Sequence, residues 1–95
     1  MPFANQTPRP FIKSDVEDLK PNQIGVYGIF RSGKWIYVGK GDIRQRLLNH
    51  LNGDNECITR QLPTHWVAEL TNGDPSEREK ALILELQPTC NQRVG

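Results

Sequence analysis

The stretch that decides the fold is GVYGIFRSGKWIYVG, residues 25–39. Its two ends, residues 25–30 and 34–39, are rich in aromatic and β-branched residues, which favour β-strands. The serine and glycine between them are typical turn residues. The pattern therefore predicts a β-hairpin.

The length of the hairpin turn determines which side chains share a face. A three-residue loop, residues 31–33, places Gly33 where the common three-residue hairpin needs a left-handed residue. This register sets Tyr27 opposite Tyr37. A two-residue loop would instead pair Tyr27 with Val38 and put the tyrosines on opposite faces. We favour the three-residue loop.

In the favoured register the two faces of the hairpin differ in character. Gly25 lies opposite Gly39, beside the two tyrosines, so this face offers phenols next to bare backbone. The other face carries the apolar core residues, which are Val26, Phe30, Ile36 and Val38.

A helix is predicted from residue 43 to about residue 51. Asp42 and Gln45 form a capping-box pattern, and Gly53 ends the helix. Ile43, Leu47 and Leu51 recur at the spacing of one helix face and point inward. The four-residue spacing of Arg46 and His50 stacks these two polar side chains beside that apolar stripe.

The second half of the chain predicts a helical turn within residues 54–64, a third strand at residues 65–70 and a final helix. Asp74 caps this helix with Pro75 in its first turn and Glu77 as capping-box partner. The alternative is Ser76 as cap with Glu79 as partner. Leu82, Ile83 and Leu86 cluster on an arc centred on Glu79, which predicts an inward-facing carboxylate, the only one in the chain.

Residues 1–23 are rich in proline and lack periodicity, so they predict an extended lead-in with at most a short helical turn at residues 14–19. Residues 24–95 then form one domain. The expected fold class is α+β, a small antiparallel three-stranded β-sheet flanked by helices.

Composition narrows the function classes. Hydrophobic residues make up 36% of the chain and charged ones 24%, an ordinary globular balance without a membrane span or a secretion signal, so we expect a cytoplasmic protein. Cys57 and Cys90 are expected as reduced thiols. A zinc site with His50 and His65 is disfavoured by the spacing. Six basic residues face three acids within residues 31–60, which suits a local phosphate-binding surface.

The motifs occur in the order Gly25-Val26-Tyr27, Tyr37-Val38-Gly39, Arg46 and His50, Glu79, then Pro88 and Asn91. This order resembles the GIY-YIG nuclease family over residues 24–91. Valine replaces isoleucine in both name motifs. The segment after Gly39 is one residue shorter than in many relatives, which leaves Arg44 as an alternative motif arginine. Arg46 is preferred because His50 lies one turn beyond it.

The residue types suit phosphodiester hydrolysis. Arg46 can bind a phosphate through two hydrogen bonds, and Mg²⁺ or Mn²⁺ held by Glu79 can neutralise charge on it. The resemblance adds Tyr27 as general base or water activator, Tyr37 and His50 assisting proton transfer, and Asn91 bracing the site beside Gly25 and Gly39. A phenol with a pKa near 10 needs a cation to lower it. Lys40 and Arg44 are candidate phosphate contacts.

The expected function is a metal-dependent endonuclease acting on DNA, plain, branched or damaged, by a one-metal mechanism. A targeting protein or a homodimer could supply specificity, because the chain has no room for an added DNA-binding domain. The alternative is a catalytically idle module of the same fold that binds nucleic acid or a partner protein.

Overall fold

The strands and helices follow one another closely along the chain. A computed structural model describes residue 3 and residues 7–91. The elements are β1 (Arg9–Pro10), α1 (Lys13–Glu17), β2 (Ile24–Arg31), β3 (Lys34–Asp42), α2 (Ile43–Leu51), α3 (Glu56–Arg60), β4 (His65–Leu70), α4 (Ser76–Leu86) and a 3₁₀ turn (Thr89–Asn91). The strands form one antiparallel sheet in the order β1-β4-β2-β3. None of the described helices is long and apolar enough to cross a membrane.

The α+β class is confirmed, but the sheet has four strands rather than three. The additional strand comes from the predicted lead-in, where Arg9 pairs with Trp66 and Pro10 with His65. Phe11 and Val16 from the same segment are buried. A two-residue strand shows no periodicity in the sequence, and a proline is tolerated there because β1 is an edge strand. The N-terminal segment therefore contributes to the core.

The predicted register of the hairpin is wrong. The loop has two residues, Ser32 and Gly33, both with positive φ (48° and 78°), the form that two-residue hairpins favour. A β-bulge follows, because Ile29 pairs with Tyr37 and Phe30 with Trp35, leaving Ile36 as the extra residue.

The bulge restores the predicted sharing of a face by the two tyrosines. It shifts the pairing by one residue, so that Tyr27 lies opposite Gly39 and Gly25 opposite Gly41. The rings of Tyr27 and Tyr37 remain on one side, with centroids 6.3 Å apart. The conclusion about the tyrosines is confirmed, although the register that led to it is not.

Both faces of the sheet are buried, whereas only one was predicted to be apolar. The face that carries Tyr27 and Tyr37, called the phenol face, packs against α1, α2 and α3. The buried cluster on this side includes Tyr27, Ile29, Ile36 and Trp66 from the strands and Leu47 from α2. The opposite face, called the α4 face, packs against α4, and its buried residues include Val26, Val38, Val67 and Leu82. Ile36 was predicted to lie with Val26, but the bulge turns it to the phenol face.

The helix ends follow the predictions in part. Helix α2 has the predicted bounds, and the Asp42 side chain accepts a hydrogen bond from the Gln45 backbone N–H (3.3 Å). Helix α4 begins at Ser76, preceded by Pro75. Neither predicted capping box describes this end, although Asp74 Oδ1 accepts a bond from the Ser76 N–H (2.9 Å).

The expectation of reduced cysteines is also wrong. Cys57 of α3 and Cys90 of the 3₁₀ turn form a disulfide, with their Cα atoms 5.7 Å apart. The two residues are 33 positions apart in sequence, and only the tertiary fold places these two segments side by side. The disulfide ties the turn that carries Asn91 to the helix that follows α2.

Candidate active site

Tyr27 lies at the centre of the phenol face and depends on a glycine across the strand pair. Its side chain is 0% exposed. A Cβ atom added at Gly39 would lie 2.3 Å from Tyr27 Oη and 2.9 Å from Tyr37 Cε2, so only glycine leaves room for the two rings. At Gly25, a Cβ would lie 2.1 Å from the Glu69 carbonyl oxygen of β4. Both motif glycines thus permit close approach rather than a special turn.

A chain of hydrogen bonds runs from Tyr27 through His50 to Asp54. Tyr27 Oη lies 2.7 Å from His50 Nε2, and His50 Nδ1 lies 2.8 Å from Asp54 Oδ1. The carboxylate of Asp54 can only accept, so Nδ1 carries the proton and Nε2 accepts from the Tyr27 hydroxyl. The imidazole is 2% exposed, whereas the Asp54 side chain is 40% exposed. The chain therefore leads from the core towards solvent.

Sequence reasoning missed Asp54. It lies four residues beyond His50, just after the end of α2, and this spacing brings the two side chains together. The four-residue spacing of Arg46 and His50 also relates His50 to Asp54, and this repeat is the signal in the sequence that points to Asp54.

Burial dominates the protonation behaviour of this chain of groups. Desolvation lowers the pKa of His50, and the hydrogen bond and charge of Asp54 oppose it only in part. Burial raises the pKa of Tyr27, and the neighbouring Tyr37 adds to this, while Arg46 opposes it. The nearby cation Arg46 lowers the pKa of Tyr27 as expected, but burial outweighs it, so the pKa is raised overall. Both groups are neutral near pH 7.

Arg46 and Tyr37 complete this side of the site. The Arg46 guanidinium lies beside the Tyr27 hydroxyl, which raises the pKa of Arg46. Its Nε is buried and has no hydrogen-bond partner in the described part of the chain. Tyr37 is half-buried and meets the His50 ring edge-on, with the centroids 5.1 Å apart. Two phenols, an imidazole and a guanidinium thus converge on one face of the sheet.

Asn91 holds the strand that carries the second tyrosine motif. Its Oδ1 accepts a bond from the Val38 N–H (2.7 Å), and its Nδ2 donates to the Val38 carbonyl (2.9 Å). β3 lies at the edge of the sheet, so the amide pairs with its open backbone much as a further strand would. Asn91 therefore fixes the backbone between Tyr37 and Gly39.

Glu79 lies on α4, near the start of the helix, and is half-buried rather than interior. Helix α4 packs through Leu82 on the α4 face, so the helix that carries Glu79 lies on the side of the sheet opposite Tyr27. Among the residues that the structure describes, its carboxylate has no hydrogen bond or ion pair. A helical wheel gives the direction of a side chain but not its depth, which explains the difference.

The prediction that Glu79 is the only inward carboxylate is also wrong. Two other carboxylates are shielded, and each is paired. Glu69 lies 2.8 Å from Arg78 and has a 15% exposed side chain, and Asp15 lies 3.0 Å from Arg9 and has an 18% exposed side chain. Glu79 differs from both, because none of the described cationic side chains pairs with it.

Lys40 connects the end of β3 with the start of α4. Its Nζ donates to Ser76 Oγ (2.6 Å), and Ser76 Oγ donates to Asp74 Oδ1 (2.6 Å). The hydrogen bonds of Ser76, followed by the charge of Lys40, lower the pKa of Asp74. This contact brings the first turns of α4 to the edge strand β3. Arg44 lies on α2, partly exposed.

The residues of the candidate site suit a divalent cation that is held by few protein ligands, rather than one that is surrounded by protein ligands. The described residues contain no group of three or more His, Cys, Asp or Glu side chains that could hold a metal. Mg²⁺ commonly takes one or two carboxylates together with water and substrate phosphate. The unpaired carboxylate of Glu79 meets that minimum.

Comparison with solved structures points to one kind of domain. The GIY-YIG N-terminal endonuclease domain of UvrC from Thermotoga maritima, bound to its catalytic divalent cation, superimposes with a TM-score of 0.72 at 26% identity, over 86% of this chain and 100% of that one. A magnesium-bound structure of the same domain gives 0.68 at 26% identity, over 85% of this chain and 100% of that one.

No family model and no curated protein matches the chain. The structural likeness covers nearly the whole of this chain, and it agrees with the resemblance found from the order of the motifs. The chain thus has the fold and the motif order of the GIY-YIG nuclease family.

Proposed function

We propose that this chain is a divalent-metal-dependent endonuclease that hydrolyses phosphodiester bonds in DNA. The observation that carries the proposal is the hydrogen-bonded chain Tyr27–His50–Asp54 with Arg46 beside the phenol. A neutral imidazole that accepts a hydrogen bond from a hydroxyl can take up the proton of that hydroxyl, which is the basis of general acid–base catalysis. The solved domains of the same fold are endonucleases by name.

His50 serves as the final proton acceptor. Its Nε2 faces the Tyr27 hydroxyl, and its lowered pKa keeps it unprotonated and ready at neutral pH. As a water molecule attacks phosphorus, the bond from phosphorus to the leaving sugar oxygen breaks, and that oxygen takes a proton from solvent. Tyr27 takes the attacking water's proton and passes its own proton to His50. The Asp54 carboxylate then stabilises the imidazolium. Because burial raises the pKa of Tyr27 and disfavours a free phenolate, the proposed scheme has the two transfers occurring together.

Arg46 binds the phosphate and gives water access to Tyr27. Its guanidinium lies against the Tyr27 hydroxyl, and its buried Nε has no partner among the described residues. A phosphate offers both a charge and the missing acceptors, so it draws the guanidinium away from the phenol. This movement uncovers the oxygen that has to meet the attacking water, so activation depends on substrate binding.

The remaining residues have supporting roles. Glu79 would hold Mg²⁺ or Mn²⁺ beside the edge strand β3, which the Lys40–Ser76 contact joins to the start of α4, and the cation would neutralise charge on the scissile phosphate. Tyr37 lines the site beside His50, while Gly25, Gly39 and Asn91 set the backbone on which the phenols rest. Lys40 and Arg44 bind neighbouring phosphates; Lys40 is exposed and can exchange Ser76 for an anion.

DNA is the proposed partner, in plain, branched or damaged form, within the cytoplasm. We assign residues 24–95 to the nuclease domain and residues 1–23 to the lead-in, whose residues 9–16 pack on that domain. The small net charge of +1 gives little general attraction to DNA, so a targeting protein or a second copy of the chain would select the site of cleavage.

The test is Mg²⁺-dependent nicking of supercoiled plasmid by the wild type and by Glu79→Gln. Glu85→Gln is the matched control, because Glu85 is an exposed carboxylate of the same helix. We expect cleavage to be abolished in the first variant and kept in the second, with equal thermal melting. Equal activity of wild type and Glu79→Gln would refute the proposal. Salt-sensitive DNA binding without cleavage in Mg²⁺ or Mn²⁺ would identify the idle module instead.

A further inference from the structure

A second basic surface lies at the tip of the β2–β3 hairpin, away from Arg46. It is a groove of about 480 Å³ whose lining includes the cationic side chains of Arg31, Lys34 and Arg60 and the polar side chains of Ser32 and Gln61. We call it the hairpin groove. The catalytic scheme above uses none of these residues.

The fold brings like charges together here. Arg31 and Lys34 are directly paired across the two-residue turn, and Arg60 approaches from the last turn of α3. Like charges directly opposite each other in a β-ladder are destabilising. The acid in contact is Glu56, which pairs with Arg60 on the exposed surface of α3 (2.5 Å). Three cations and one acid leave an excess of positive charge that favours an anion.

A hydrogen bond holds one wall of the groove in place. Arg31 Nη1 donates to the Leu62 carbonyl oxygen (3.3 Å), which joins the hairpin to the segment after α3. Ile36, the bulged residue, forms the apolar floor. The groove is thus bounded by two elements and is not merely a row of flexible side chains.

The bulge also places the groove on the same side as the candidate active site. Ile36 and Tyr37 are adjacent residues that both pack with the phenol-face residues, whereas neighbours in a regular strand would point to opposite faces. Lys34 precedes Tyr37 by three residues, or about 10 Å at roughly 3.3 Å per residue. One strand of duplex DNA advances about 3.4 Å per phosphate along the helix axis, so with that axis along β3 the distance corresponds to roughly three nucleotides.

We infer that the hairpin groove binds a backbone phosphate of the DNA substrate, about three nucleotides from the cleaved bond. The inference rests on the proposed nuclease function and adds a positioning site to it. Because a contact to a backbone phosphate carries no sequence information, we expect this site to hold DNA of any sequence. Through this site, a chain of nearly neutral net charge can bind the DNA that flanks the cleaved bond.

The first experiment measures binding without cleavage. Fluorescence anisotropy with a labelled duplex in EDTA, between 50 and 200 mM NaCl, compares wild type with Arg31→Gln/Lys34→Gln/Arg60→Gln. The control Lys13→Gln/Lys20→Gln/Lys80→Gln removes the same charge from exposed lysines outside the groove. We expect the affinity of the groove variant for DNA to be roughly ten-fold lower than that of the wild type. The slope of log K against log salt concentration should become less steep by about 0.9 for each phosphate contact that is lost. Equal losses in both triple variants would overturn the inference.

The second experiment measures position. The substrate is an end-labelled linear duplex with Mg²⁺. The wild type should cut internal bonds faster than bonds that lie within about three nucleotides of an end, because the flanking phosphate is missing near the end. The groove variant should cut both equally, with an unchanged maximal rate at saturating enzyme. Lys34→Gln/Arg60→Gln, which keeps the Arg31 contact to Leu62, should show the same trend if the triple variant melts early.

The two proposals fail in different ways. If wild type binds DNA through the groove but never cleaves it in Mg²⁺ or Mn²⁺, the nuclease proposal fails and the groove stands. If the protein cleaves DNA while the groove and control variants have the same affinity, salt slope and end dependence, the groove fails and the nuclease stands.

Discussion

The two faces of the sheet are both buried, yet they are built from different chemistry. The buried residues of the α4 face include Val26, Val38, Val67 and Leu82, which are all apolar. The phenol face buries an equally apolar frame but adds Tyr27 and His50 within it. Placing hydroxyl and imidazole groups in a core costs free energy unless they are hydrogen-bonded. The comparison indicates that the buried residues of the α4 face contribute packing alone, whereas those of the phenol face include groups that the proposed reaction would use.

The largest expected effect on the phenol face is that of His50→Ala. It removes the proton acceptor of Tyr27, and general acid–base groups typically contribute about 10²–10⁴ in rate. It also leaves a buried hydroxyl without this partner, at a cost of about 1–3 kcal/mol in the free energy of unfolding. Single-turnover cleavage, measured well below the melting temperature, reports the loss of rate.

Arg44→Ala is the control for His50→Ala, since Arg44 lies on the same helix with partial exposure. It should weaken DNA binding while leaving the rate at saturating enzyme nearly intact. A His50→Ala protein that cleaves at the wild-type rate would show that the hydrogen-bonded chain is structural, and the contrast between the two faces would lose its functional meaning.

On the α4 face the matching change is Leu82→Ala, which should act on stability alone. Leu82 is 0% exposed, and removing a buried leucine side chain typically costs about 2–5 kcal/mol. Chemical unfolding should show this loss, whereas the cleavage rate of the folded fraction should stay within about two-fold. A larger fall in rate without unfolding would mean that α4 packing controls where Glu79 sits, and that the α4 face also serves the reaction.

Features that depend on local interactions could be predicted from the sequence, whereas features that depend on long-range contacts could not. Helix α2, with Arg46 and His50 on one stripe, follows from a local cap and a local period, and the structure has the predicted bounds. The hairpin register does not follow, because the bulge at Ile36 reflects how β3 packs on the helices. The disulfide joins segments that only the folded chain brings together.

Glu79 marks the boundary between what a pattern can and cannot give. The arc of apolar residues predicts which side of α4 carries Glu79. How deeply the Glu79 side chain is buried depends on where the start of the helix lies relative to the sheet. The structure leaves Glu79 half-buried on a helix whose start is joined to β3 through Lys40 and Ser76. Asp54, in contrast, was within reach of the local spacing rule and was overlooked.

The smallest predicted effect is a change in pH dependence. Burial lowers the pKa of His50, and only the neutral imidazole can accept the proton, so cleavage should persist below the ordinary histidine value of about 6.5 before it falls. Stability follows the same sign. Since the unfolded chain binds the proton more readily, stability is complete above about pH 6.5 and is lost as pH falls towards the lower folded value.

Asp54→Asn sharpens this prediction. Asp54 raises the pKa of His50 through its hydrogen bond and charge, so its removal should move the acid limb of the rate profile to still lower pH. The neutral-pH rate should fall by no more than about ten-fold, because the carboxylate is 40% exposed and its charge is screened by solvent. An acid limb that moves upward, or a profile unchanged by the substitution, would mean that Asp54 does not act on His50. The phenol face would then keep its buried imidazole without the outward connection that distinguishes it from the α4 face.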